Sequence, residues 1–111
     1  MKTIFVVDDA DTNLTMAKEA LEENYRVLTM PSAAKMFAVL GKIIPDLILL
    51  DIEMPEMNGF TALEKLRQNE QTANIPVAFL TAHSGMSGAT EFIIKPISKP
   101  ALQSRVAELL K

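Results

Sequence analysis

LILLDIEMPEMNG, residues 47–59, is the stretch that decides the fold. Leu47, Ile48, Leu49 and Leu50 form an apolar run without alternation, the pattern of a strand covered on both faces of a parallel sheet. Pro45 and Asp46 punctuate its start, so a strand is expected over 46–51. It ends in a carboxylate, Asp51, and the turn formers Pro55, Asn58 and Gly59 follow at once. Ligand sites in α/β sheets lie at the carboxyl ends of strands. Asp51 is therefore expected at the mouth of a site.

The same punctuation recurs on both sides. Thr3 to Val7 is a β-branched apolar run ending in Asp8 and Asp9. A helix is expected from Asp11 to Asn24, capped by Asp11 or Thr12, with Leu14, Ala17 and Leu21 at helical spacing. Tyr25 to Met30 alternates like an edge strand and stops at Pro31. Ser32 caps a second helix carrying Met36, Phe37 and Leu40, closed by Gly41. Asn58 or Gly59 opens a third, with Phe60, Leu63 and Leu66 on one stripe. Val77 to Leu80 is a buried strand ending in Thr81, and Phe92 to Ile94 another ending in Lys95-Pro96. Ser98 caps a last helix facing inward through Leu102, Val106, Leu109 and Leu110. Strand and helix alternate, which implies an α/β fold with a doubly wound parallel sheet. The ten residues between Thr81 and Phe92, AHSGMSGATE, break the alternation and read as a loop or one helical turn.

Bulk properties narrow the classes. A chain of 111 residues, 49% hydrophobic, holds one domain with a real core, taken as residues 1–111. With no cysteine there is neither a disulfide framework nor a thiolate metal site. A net charge of -3 argues against a nucleic-acid partner. No apolar run is long enough to span a membrane, and the N-terminus lacks a signal pattern, so the expected location is cytoplasmic.

Four strand ends carry polar groups: Asp8 and Asp9, Asp51, Thr81, and Lys95. In a parallel sheet these ends point one way, so the groups converge. Clustered carboxylates repel unless a cation neutralises them. Hard oxygen donors suggest Mg²⁺; the single histidine, His83, is read as an exposed loop residue. A carboxylate beside Mg²⁺ can attack phosphorus. The Lys ammonium would neutralise phosphoryl oxygens, and the Thr hydroxyl would donate to one of them.

These motifs (DD after the first strand, DIEMPEMNG after the third, TA after the fourth, KP after the fifth) resemble the receiver domain of two-component response regulators, from Thr3 to Leu110. The resemblance implies a flavodoxin-like five-stranded sheet in the order 2-1-3-4-5. It implies Asp51 as phosphoacceptor, Asp9 as a direct Mg²⁺ ligand, Asp8 acting largely through water, and the Glu53 backbone carbonyl as a further ligand. Thr81 would be the switch hydroxyl, Phe92 the aromatic switch, and Lys95 the partner of Asp51 or of the phosphoryl group, with a cis Lys95–Pro96 peptide. The implied partner is a sensor histidine kinase or phosphotransfer protein. The implied activity is phosphoryl acceptance followed by slow hydrolysis, without turnover of an external substrate.

The chain departs from the family between Thr81 and Lys95, which are closer together than usual. The fourth helix is therefore expected to be shortened or missing. That would uncover sheet surface over Phe79 and Ile93, to be closed by the loop around Met86 or by a second subunit in a homodimer. No output domain is expected, so the chain would be a free-standing receiver or a piece of a larger regulator. The chief alternative is a degenerate receiver serving as a docking module. Two rivals are a phosphatase with an Asp nucleophile, in which Glu53 would be the general acid, and a flavin-binding protein. The acids of DDADTN, which repel phosphate, disfavour the last.

Overall fold

Strand and helix alternate through β1 (Thr3–Val7), α1 (Asp11–Leu21), β2 (Arg26–Met30), α2 (Ala33–Leu40), β3 (Leu47–Asp51), α3 (Gly59–Gln68), β4 (Val77–Thr81), β5 (Glu91–Ile94) and α4 (Lys99–Leu109). This is a computed structural model, and it describes residues 1–81, 91–95 and 98–110. The five strands form one sheet in the order β2-β1-β3-β4-β5, every neighbouring pair parallel. That is the expected flavodoxin-like order.

Alternate residues along each strand feed two cores. Phe5, Val7, Ile48, Leu50 and Phe79 pack with Met36 of α2 and with Ala62 and Leu66 of α3. Ile4, Val6, Leu47, Leu49 and Leu80 pack with Leu14 and Leu21 of α1 and with Leu102 and Val106 of α4. Every residue of β3 is buried, which is why its sequence shows no alternation. β2 lies on the edge and alternates more freely. Asp46 pins β3 to β1 at their starts: its N–H donates to the Thr3 carbonyl at 2.8 Å, and its Oδ2 accepts from the Thr3 N–H at 2.7 Å. The register that follows, Val7 beside Leu50, sets Asp8 and Asp51 at the same level.

Three expected caps form: Ser32 Oγ accepts from the Lys35 N–H, Asn58 Oδ1 from the Thr61 N–H, and Ser98 Oγ from the Ala101 N–H. Each such cap contributes about 1 kcal/mol. The first helix differs from expectation at both ends. Its N-cap is Ala10, without a side-chain acceptor, because the Asp8 carboxylate already takes the Ala10 N–H and starts the turn one residue early. It ends at Leu21, its last buried apolar residue, rather than Asn24.

Two expectations about packing are corrected. Phe60 does not share an inward stripe with Leu63 and Leu66: Gly59, Ala62 and Leu66 are the buried residues of α3, and Phe60 is 50% exposed. The helix approaches the sheet through Gly59, and one residue on, 100° of helical rotation carries Phe60 to the margin. Phe79 and Ile93 do not form one uncovered face. Phe79 is opposite Phe92 in register and Ile93 opposite Leu80, so the two lie on opposite faces. Both are buried, at 3% and 7% exposure. The described residues contain four helices, and residues 82–90 between β4 and β5 lie outside them. The expectations for a shortened fourth helix, His83, Met86 and the Lys95–Pro96 peptide therefore fall outside the described residues.

Gly59 is required by close approach. A Cβ there would lie 2.6 Å from the Asp51 carbonyl oxygen and 2.9 Å from Ile52 Cα, both backbone atoms that cannot swing away. At Gly41, with φ -66, a Cβ would meet only the Ala38 carbonyl oxygen at an ordinary 3.5 Å. Denaturant unfolding should show Gly59→Ala destabilised by at least ~1–3 kcal/mol, and Gly41→Ala stabilised by ~0.4–1 kcal/mol. Equal effects at the two glycines would contradict this packing.

Candidate functional site

The strand ends meet in a cleft of about 300 Å³ lined by Asp8, Asp9, Asp51, Glu53, Thr81 and Lys95, among others. Larger depressions lie beside α1 (≈ 640 Å³) and between α2 and α3 (≈ 480 Å³), but among the described residues only Asp8, Asp9 and Asp51 bring three acids close enough to share an ion, so size does not select the site. Each group reaches the cleft for a local reason. Asp8 and Asp9 follow β1, Asp51 and Thr81 close β3 and β4, and Lys95 follows β5. The Lys95 N–H donates to the Thr81 carbonyl, which extends the β4–β5 ladder by one residue.

One carboxylate oxygen from each of Asp8, Asp9 and Asp51 lies within 4.8 Å of the others. Asp8 is fully buried, Asp51 is 4% exposed, and Asp9 faces solvent. Lys95 Nζ stands 3.0 Å from Asp51 Oδ1 and 3.3 Å from Asp8 Oδ2. Burial pushes the Asp51 carboxyl up, the Lys95 hydrogen bond pulls it down, and the charge of Asp8 pushes it up again. The outcome is a rise from 3.8 to about 6. Burial pulls the Lys95 ammonium down, but its hydrogen bond to Asp51 and the charge of Asp8 outweigh that and leave it raised. Lys95 is thus a fixed cation.

Among the described residues, one ammonium against three acids leaves a negative hollow whose carboxylate donors are hard oxygens. That donor set fits a divalent cation such as Mg²⁺. Asp8, Asp9 and Asp51 are the carboxylates that could hold it, and Glu53 lies at the same mouth. Thr81 is 5% exposed at the cleft wall. Phe92, half-buried, packs against the core shared with α2 and α3.

Asn13 belongs to this constellation and sequence reasoning passed over it. Its Nδ2 donates to Asp8 Oδ2 at 3.0 Å, while Asp8 Oδ1 accepts from the Ala10 N–H at 2.9 Å. Asp8 is therefore held by backbone, amide and ammonium together. The available signal was positional: on a helix starting at Asp11, Asn13 stays in the first turn, beside the acids that precede it.

The chain matches the family model for the response regulator receiver domain over residues 4–107. It is 38% identical over 117 residues to the response regulator PleD of Caulobacter vibrioides, covering 97% of this chain and 26% of that protein. It is 37% identical over 112 residues to a probable cyclic di-GMP phosphodiesterase of Vibrio cholerae, covering 94% of this chain and 25% of that one. The chain thus spans about a quarter of the length of these relatives. In structure it is similar to the chemotaxis response regulator CheY4 of Vibrio cholerae, with TM-score 0.93, 26% identity and 99% of each chain covered.

The raised Asp51 carboxyl has a stability signature. The fold binds that proton more tightly than the unfolded chain does, so stability falls as pH rises from the ordinary value of 3.8 through about 6. In metal-free buffer Asp51→Asn should melt higher than the parent above pH 6, by roughly 4–8 °C per kcal/mol relieved. The gap should close as pH falls toward 4. Thermal unfolding by circular dichroism checks this, and a gap independent of pH would contradict it.

Proposed function

The chain belongs to the response regulator receiver domain family of two-component systems, and from that premise we propose that it accepts a phosphoryl group on Asp51. The observation that carries this reading is the contact of Lys95 with both Asp51 and Asp8 at the mouth where three carboxylates converge. The donor would be the phosphohistidine of a sensor histidine kinase or phosphotransfer protein. Residues 1–111 would act as one receiver domain.

In the transfer, an Oδ of Asp51 forms the new P–O bond as the P–N bond of the phosphohistidine breaks. The electron pair stays on the imidazole nitrogen, and the ring leaves neutral when its other nitrogen carries a proton. Lys95 moves its attraction from the carboxylate to the charge developing on the phosphoryl oxygens. The Thr81 hydroxyl donates to one of those oxygens and shifts toward the phosphoryl group. Phe92 turns inward with it. The carboxylates of Asp8, Asp9 and Asp51 and the backbone carbonyl of Glu53 would hold Mg²⁺, Asp8 largely through water. Bound Mg²⁺ would supply the positive charge that allows the acids to stay ionised beside an incoming phosphate. The acyl phosphate would then hydrolyse slowly. Turnover of an external substrate is not proposed, and the phosphodiesterase name of the Vibrio relative belongs to a protein four times as long as the matching part.

With acetyl phosphate and Mg²⁺, intact mass should show one added phosphoryl group, lost with chelator or in Asp51→Asn. Lys95→Ala should slow labelling on the order of 10²-fold, the scale for loss of one preorganised charge-stabilising donor. Equal labelling of Asp51→Asn and the parent would overturn the assignment.

A further inference from the structure

Phe60 is half exposed, yet its ring stands edge-on to Phe79, with centroids 5.1 Å apart and planes at 66°. The contact falls where the start of α3, the end of the 52–58 loop and β4 meet. The N–H of the preceding residue, Gly59, donates to the Ile52 carbonyl at 2.8 Å and joins the two ends of the 52–58 loop. A Cβ at Gly59 would lie 3.2 Å from the Phe79 ring, so that ring already bears on the loop's closing point. Phe79 precedes Thr81 by two residues on β4, which puts their side chains on one face. It is also opposite Leu50, the residue before Asp51.

The loop has a reason to need holding. Glu56 adopts φ 70, a conformation that costs a non-glycine residue energy. We infer that Phe60 is a positioning residue whose edge-to-face contact with Phe79 keeps the 52–58 loop closed on β3 and β4, and so fixes Glu53 and the Asp51 main chain for cation binding. For cation binding this rests on the phosphoacceptor reading; the loop closure stands apart from it. A side chain acting only through apolar area could be any large hydrophobe, whereas an edge-to-face contact needs a ring.

Amide hydrogen exchange and Mg²⁺ titration by NMR on the full chain would test the inference, comparing the parent with Phe60→Ala, Phe60→Leu and Phe60→Tyr. In the metal-free protein, Ala and Leu should speed exchange of the Gly59 N–H. Both should weaken Mg²⁺ binding about two- to tenfold, the scale of one aromatic pair. Tyr should restore both. The Leu variant keeps apolar bulk and serves should Ala fail to fold. Unchanged Gly59 exchange, or Leu rescuing as fully as Tyr, would overturn the inference. If the parent binds no Mg²⁺ while Gly59 still loosens in the Ala and Leu variants, the clamp stands and the phosphoacceptor reading fails.

Discussion

Three carboxylates whose oxygens lie within 4.8 Å of one another repel, and the fold has to hold them there. Lys95 answers part of that charge, at 3.0 Å from Asp51 and 3.3 Å from Asp8. Burial first, and then the charge of Asp8, raise the Asp51 carboxyl to about 6 despite the Lys95 hydrogen bond. A site with this imbalance is not at rest electrostatically. A divalent cation would relieve it, and under the proposed function an incoming phosphoryl group would then meet positive charge where bare acids would repel it.

The sheet supplies the rigidity such an arrangement needs. Asp46 ties the starts of β1 and β3, so their far ends deliver Asp8 and Asp51 in register. Apolar packing on both faces of β3 leaves its end no freedom to retreat. Gly59 lets α3 press against the Asp51 backbone at a distance no side chain would permit. Asn13 and the Ala10 N–H orient Asp8 from the other side. Packing thus holds together charges that would otherwise separate.

Much of this was legible in the sequence because period and punctuation carry it. The unbroken run Leu47–Leu50 announced a doubly covered strand, and acids, a threonine and a lysine at strand ends announced a convergent site. What escaped depended on relations between elements. Ala10 caps the first helix because a side chain two residues earlier bonds its N–H, which a propensity for Asp or Thr caps does not register. Phe60 looked like a core residue until the closeness of Gly59 to the sheet fixed the rotation of α3. Phe79 and Ile93 appeared to be neighbours, and only the β4–β5 register placed them on opposite faces. Asn13 depended on where the helix begins.

The most direct test is a crystal of the protein soaked with Mn²⁺ as an anomalous stand-in for Mg²⁺. The account predicts one strong anomalous peak among the carboxylates of Asp9 and Asp51, within ligand reach of the Glu53 carbonyl. Well-occupied Mn²⁺ elsewhere on the molecule, with nothing between these acids, would contradict it.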